Sequence, residues 1–156
     1  MTFLPLLVLV ACHPGKVSNS AEAEAAYTGL DQAVERALAL GLQGFNLASS
    51  ANIAPQEEAG ATSGTMVVSG QVDQGSSDNK NLRLDVALTE YSDTLGDDGE
   101  PDLLYDTDSP AYLELQLKDM PAGTLNGTFD GTFAMNGVLV GLVDLSLTLS
   151  GETEDD

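Results

Sequence analysis

The stretch SDTLGDDGEPDLLYDTDSP, starting at Ser92, gathers Asp93, Asp97, Asp98, Glu100, Asp102, Asp106 and Asp108 without one basic residue. Carboxylates at that density suit a hard cation. Calcium takes roughly six to eight oxygen ligands, and several acids on one flexible loop can supply them. Asp93, Asp97, Asp98, Glu100 and Asp102 are therefore the candidate calcium ligands. The simpler description is a solvated acidic loop, with Leu103, Leu104 and Tyr105 tucked against a sheet edge. Paired carboxylates can also do acid–base work, as in glycoside hydrolysis, but one of them then needs a raised pKa inside a cleft. Asp85 and Glu114 would have to be buried in a pocket to serve. Cys12 is the only cysteine and His13 the only histidine. That excludes an internal disulfide, a cysteine-based zinc cluster and a multi-histidine metal site, and leaves no internal histidine to activate a nucleophile. No catalytic residue and no organic cofactor is expected.

Residues 3–11 carry no charge. The run is too short for a bilayer span, which needs about 20 apolar residues, but long enough for the apolar core of a secretory signal. It ends in Leu9-Val10-Ala11-Cys12, an aliphatic residue, a variable one, a small one and a cysteine. This resembles the lipobox of bacterial lipoproteins. The resemblance implies cleavage before Cys12, a diacylglyceryl group on its sulfur and, usually, acylation of the new amine. It places the chain in the cell envelope, tethered to a membrane by lipid. His13 is not aspartate, which by the same resemblance favours the outer membrane over the inner. The leader departs from the pattern in lacking lysine or arginine near Met1. In the acidic loop, DDGEPD partly resembles the aspartate-glycine calcium loops of extracellular repeat modules. Asp98, Gly99 and Asp102 fit that pattern, while Thr94 and Gly96 stand where its first two aspartates belong.

A length of 156 residues suits one domain with a leader and a tail, and 42% apolar residues are enough for a core. The formal net charge is −20, five basic residues against 25 acidic ones. A field of that sign repels nucleic acid, which is set aside as a partner, and also keeps the chain soluble.

The elements follow from two periodicities. Residues 1–11 read as leader, 12–20 as tether, 21–151 as one domain and 152–156 as a disordered acidic tail. Apolar residues at Ala26, Leu30, Val34, Ala37, Leu38 and Leu42 form one stripe, which predicts a helix over about 21–42. Ser20 is its expected cap, and Glu22 and Glu24 suit the positive end of its dipole. Gly41 and Gly44 suggest where it stops, and residues 45–64 read as loop. From Thr65 the period becomes two. Strands are predicted over about 65–72, 81–91, 111–118, 123–135 and 138–150, each with one apolar and one wet face, the antiparallel pattern. Five such strands need a cover, and the helix stripe supplies it. The expected fold is α+β, the helix packed on a curved antiparallel sheet of about five strands, with a small β-barrel as the alternative.

Hairpin parity makes a sharper prediction. A two-residue turn at Asn136-Gly137 would put Asp144 on the core face beside Phe129. A three-residue loop, Met135-Asn136-Gly137, pairs Ala134 with Val138, Phe133 with Leu139, Phe129 with Val143 and Leu125 with Leu147. Glycines 123, 127 and 131 share the apolar face with Phe129 and Phe133. They make room either for close packing and bending or for a groove that takes an apolar ligand. Thr124, Thr128 and Thr132 line the other face, where a flat polar ladder could meet a saccharide. The chain reads as a lipid-anchored, non-enzymatic structural or binding domain, with calcium or an apolar ligand as the alternative.

Overall fold

The computed structural model describes Leu6–Leu7 and residues 17–73, 76–95, 99 and 101–153. Cys12, Asp97, Asp98 and Glu100 lie outside the described residues. The chain runs β1 (Leu6–Leu7), α1 (Ser20–Leu47), β2 (Asn52–Ala59), β3 (Ser63–Val72), β4 (Lys80–Ser92), β5 (Leu103–Asp106), β6 (Ala111–Lys118), β7 (Thr124–Gly137) and β8 (Gly141–Glu152). The fold is α+β, one helix on one antiparallel sheet.

The sheet is a meander in the order β8-β7-β5-β4-β3-β2, with β6 between β4 and β7 in the same row as β5. β5 and β6 are two halves of one interrupted strand. Tyr105 faces Tyr91 on one side and Met135 on the other; Leu113 faces Leu84 and Phe129. The two-residue β1 adds to the outer edge of β8, Leu6 opposite Thr148. No pairing joins β2 to β8 among the described residues, so the sheet is open and the barrel alternative is not adopted.

The alternation from Thr65 onward sets the faces as expected. Val68, Leu84, Leu113, Phe129 and Leu147 turn inward with the buried stripe of α1, while Asn126, Asp130, Asp144 and Ser146 stand in solvent. Burying an aliphatic or aromatic side chain is worth ~1.5–3 kcal/mol each, so this single core is the main source of stability. Tyr105 closes its upper end by donating its hydroxyl to the Ala26 carbonyl at 2.8 Å.

Several expectations are corrected. The helix is capped by Asn19, whose side chain accepts from the Glu22 N–H at 3.0 Å, with Ser18 bonded to the Glu22 carboxylate. The helix does not stop near Gly41. Its glycines are contact points: a Cβ on Gly41 would lie 2.5 Å from Leu84, and one on Gly44 2.6 Å from Ile53. Residues 52–59, read as loop, form the edge strand β2. Leu103 and Tyr105 do not lie on a sheet edge but inside the sheet, as β5.

The last hairpin is shifted by four residues from its predicted register. Phe133 faces Val143, Phe129 faces Leu147 and Met135 faces Gly141. The shift is even, so every side chain keeps its face. Its cause is β5, which holds Asn136 and Gly137 in the ladder instead of in a turn. Gly137 has φ +118, and a Cβ there would lie 2.2 Å from the Asp102 carbonyl. At the tail, Glu152 belongs to β8, and Thr153 exchanges hydrogen bonds with Gly123.

Candidate functional site

Among the described residues two places bring polar chemistry together, and the first lies where the acidic loop leaves the sheet. Asp93 follows β4 and turns inward, its side chain only 1% exposed. One carboxylate oxygen accepts from Arg36 at 3.2 Å and from the Ala61 N–H at 2.8 Å; the other accepts from the Tyr91 hydroxyl at 2.5 Å. Arg36 also pairs with Glu58 of β2. Burial, then the hydrogen bond to Asp93, drive the Tyr91 phenol far above the ordinary tyrosine range. This network ties the middle of α1 to β2 and to the end of β4. Both oxygens of Asp93, one of the candidate calcium ligands, are engaged in this network, which gives it a structural role. Asp102 is exposed, and its carbonyl receives the Val138 N–H at 2.9 Å. Among the described residues no group of three or more His, Cys, Asp or Glu could hold a metal ion.

The second place is a groove of ≈ 500 Å³ on the outer face of the sheet, bordered by Asn52, Ser69, Gln71, Arg83, Asp85 and Tyr112. Two local features make it. β2 bulges between Ile53 and Gln56, at Pro55. At Gly70 the neighbouring strand comes so close that a Cβ would lie 2.1 Å from the Arg83 carbonyl. Strand pairing then sets the walls: Gln71 faces Arg83, and Asp85 lies between Ser69 and Tyr112. Arg83 bonds Asp73 at 2.9 Å. Planar amides, a guanidinium, a carboxylate and an exposed ring edge can hydrogen-bond and cover a polar ligand.

These walls do not make an acid–base pair. Asp85 is exposed, and Glu114 accepts from Asn81 at 3.2 Å, outside the groove. Two further wet-face acids are engaged, Asp130 by Ser146 at 2.6 Å and Asp144 by Thr132 at 2.7 Å.

The glycine row offers no groove. A Cβ on Gly127 would lie 2.2 Å from the Glu114 carbonyl, and one on Gly131 2.4 Å from the Ala111 Cβ. The missing side chains make room for β6 itself. Sequence reasoning missed both the Arg36–Asp93–Tyr91 cluster and the groove. The only available signal was chemical: Arg36 is a lone cation on the helix, and cations are scarce in this chain. Comparison with protein families, curated proteins and solved structures finds no match for the chain.

Proposed function

We propose that this chain is a lipid-anchored protein of the bacterial cell envelope, held through Cys12, and that its domain is a non-enzymatic binding or structural module. The observation that carries the reading is Leu9-Val10-Ala11-Cys12, with the chain's one thiol at the end of its one uncharged leader. The domain adds support of another kind. Helix α1 is capped at Asn19, so only a short tether separates the folded body from Cys12. No helix among the described residues is long and apolar enough to cross a membrane, so a helical anchor is not on offer there. The outer-face groove offers a surface for a ligand among the described residues, and its open, polar walls suit recognition rather than proton transfer. By the lipobox analogy, His13 favours the outer membrane.

The test is the intact mass of native protein taken from the membrane fraction, beside a Cys12→Ala control. The expected result is a chain beginning at Cys12, heavier by a diacylglyceryl group and an acyl chain, and released to the soluble fraction by Cys12→Ala. An unmodified chain still carrying Met1 would overturn the reading.

A further inference from the structure

Turns are usually built from glycine and small polar residues, but the turn between β7 and β8 is Val138-Leu139-Val140, and β8 then opens Gly141-Leu142, so the hairpin tip reads VLVGL. Leu139 folds back onto the core. Val138, Val140 and Leu142 do not, and are 69%, 54% and 46% exposed. Single exposed apolar residues are ordinary; three on one hairpin tip make a patch.

The position of the patch says what covers it. Val17, where the described body of the chain begins, shares a small apolar hollow with Tyr27, Leu30, Val143 and Leu145. Val143 is three residues along the chain from Val140, about 10 Å at strand rise. From Cys12 to Val17 is five residues, at most ~18 Å of extended chain. The lipid-bearing residue therefore stays within roughly 30 Å of the hairpin tip, on the side of the domain where Val17 meets Val143.

We propose that the tip at residues 138–142 dips into the same bilayer that holds the Cys12 lipid, a second membrane contact that sets the orientation of the domain. This rests on the anchor reading. The acyl chains retain the protein, and two or more already do so stably. The tip has only to compete with free tumbling on a short tether, where the effective concentration of bilayer is high. Three aliphatic side chains are enough for that. The chemistry recognised is the apolar layer just below the lipid headgroups, since the tip itself carries no charge.

The protein contains no tryptophan, so one introduced residue reports its own surroundings. Lipidated full-length protein would be reconstituted into phosphatidylcholine vesicles with and without brominated acyl chains, as Val138→Trp and as Leu47→Trp. Leu47 is as exposed as Val138 but ends α1, some 40 Å along the helix from its start. The expected result is a blue-shifted emission at position 138, quenched at least ~3-fold more than at 47. Adding Val140→Asp to Val138→Trp should abolish most of that quenching. Equal quenching at both positions, or none at 138, overturns the proposal. Intact mass on the same sample separates the two failures. A lipidated chain with no quenching at 138 sinks the tip contact alone. A chain without lipid sinks the anchor, and the tip contact with it.

Discussion

Asp93→Ala should be among the most damaging single substitutions at a polar position. Three donors converge on this carboxylate, and they do not suffer equally when it goes. Ala61 is exposed, so water takes over its N–H at little cost. Arg36 keeps Glu58, and its side chain is 27% exposed; it loses less than the 3–5 kcal/mol of a fully buried broken pair, about 1–2 kcal/mol. Tyr91 is completely buried, and its orphaned hydroxyl costs roughly 1–3 kcal/mol. The sum is about 3 kcal/mol, a large share of the ~5–15 kcal/mol of a typical domain. With a urea slope of ~1–3 kcal/mol/M, the midpoint should fall by roughly 1–3 M. Adding Tyr91→Phe to Asp93→Ala should recover part of the loss, because the double variant has no stranded hydroxyl. Urea unfolding of wild type, both singles and the double makes the cycle. An Asp93→Ala variant within 0.5 kcal/mol (about the noise of such measurements) of wild type would refute the claim that this network fastens the helix to the sheet. A double variant weaker than both singles would refute the stranded-hydroxyl part.

Alkaline stability should follow the buried phenols. Burial raises the folded-state pKa of Tyr91 and Tyr105, so stability is intact below the unfolded value near ~10 and falls above it by about 1.4 kcal/mol per pH unit for each. Tyr27, raised to about 12 by partial burial and its bond to Asp31, adds a third share; urea midpoints between pH 9 and 11.5 should show the combined slope, Tyr105→Phe should remove about a third of it, and a flat profile would contradict it. Gly29→Ala should destabilise by about 1–2 kcal/mol despite alanine's better helix propensity, because its Cβ would lie 2.6 Å from the Tyr105 hydroxyl oxygen, which is pinned to Ala26. Gly41→Ala meets only the flexible end of Leu84 and should cost less; the reverse order in thermal melts would sink this reading. In a Cys12→Ala background, Thr128→Cys with Thr148→Cys should form a disulfide on mild oxidation, since the two face each other across the ladder. Thr128→Cys with Asp144→Cys, the pair a three-residue loop would bring together, should stay reduced on a gel.

The strands legible in the sequence are those that bury one full face. β4 alternates from Leu82 to Leu88 and β6 from Ala111 to Leu117, so period alone locates them. β2 escaped because an edge strand needs little core: within Asn52–Ala59 only Ile53 is buried, and Pro55 and two glutamates mask the rest. β5 escaped because four residues are too few to show a period, although Leu103 and Tyr105 do alternate. Gly41 and Gly44 misled because glycine near a helix end usually marks a stop; here the missing side chains let the helix lie against Leu84 and Ile53. Parity of the last hairpin was readable because one face is apolar, but its register was not. That depends on β5 pairing with Gly137, a contact between segments more than thirty residues apart. The candidate site was illegible for the same reason. Arg36, Glu58 and Asp93 come from three elements, and the groove walls from four strands, so no local pattern announces either.

The groove and the hairpin tip lie on one ladder, which fixes their separation. Tyr112, on the groove wall, faces Asp130 of β7, and Met135 is the last residue of β7 paired with β8 before the turn that carries Val138 and Val140. Five residues of strand separate Asp130 from Met135, roughly 17 Å. A domain held down by Cys12 and by the residue 138–142 tip would therefore carry the groove some 17 Å clear of the turn, with its polar wall facing water. Lipid headgroups would not reach it, and a ligand for it must stand off the membrane. The strong negative charge has the same consequence. It opposes lying flat on an anionic surface.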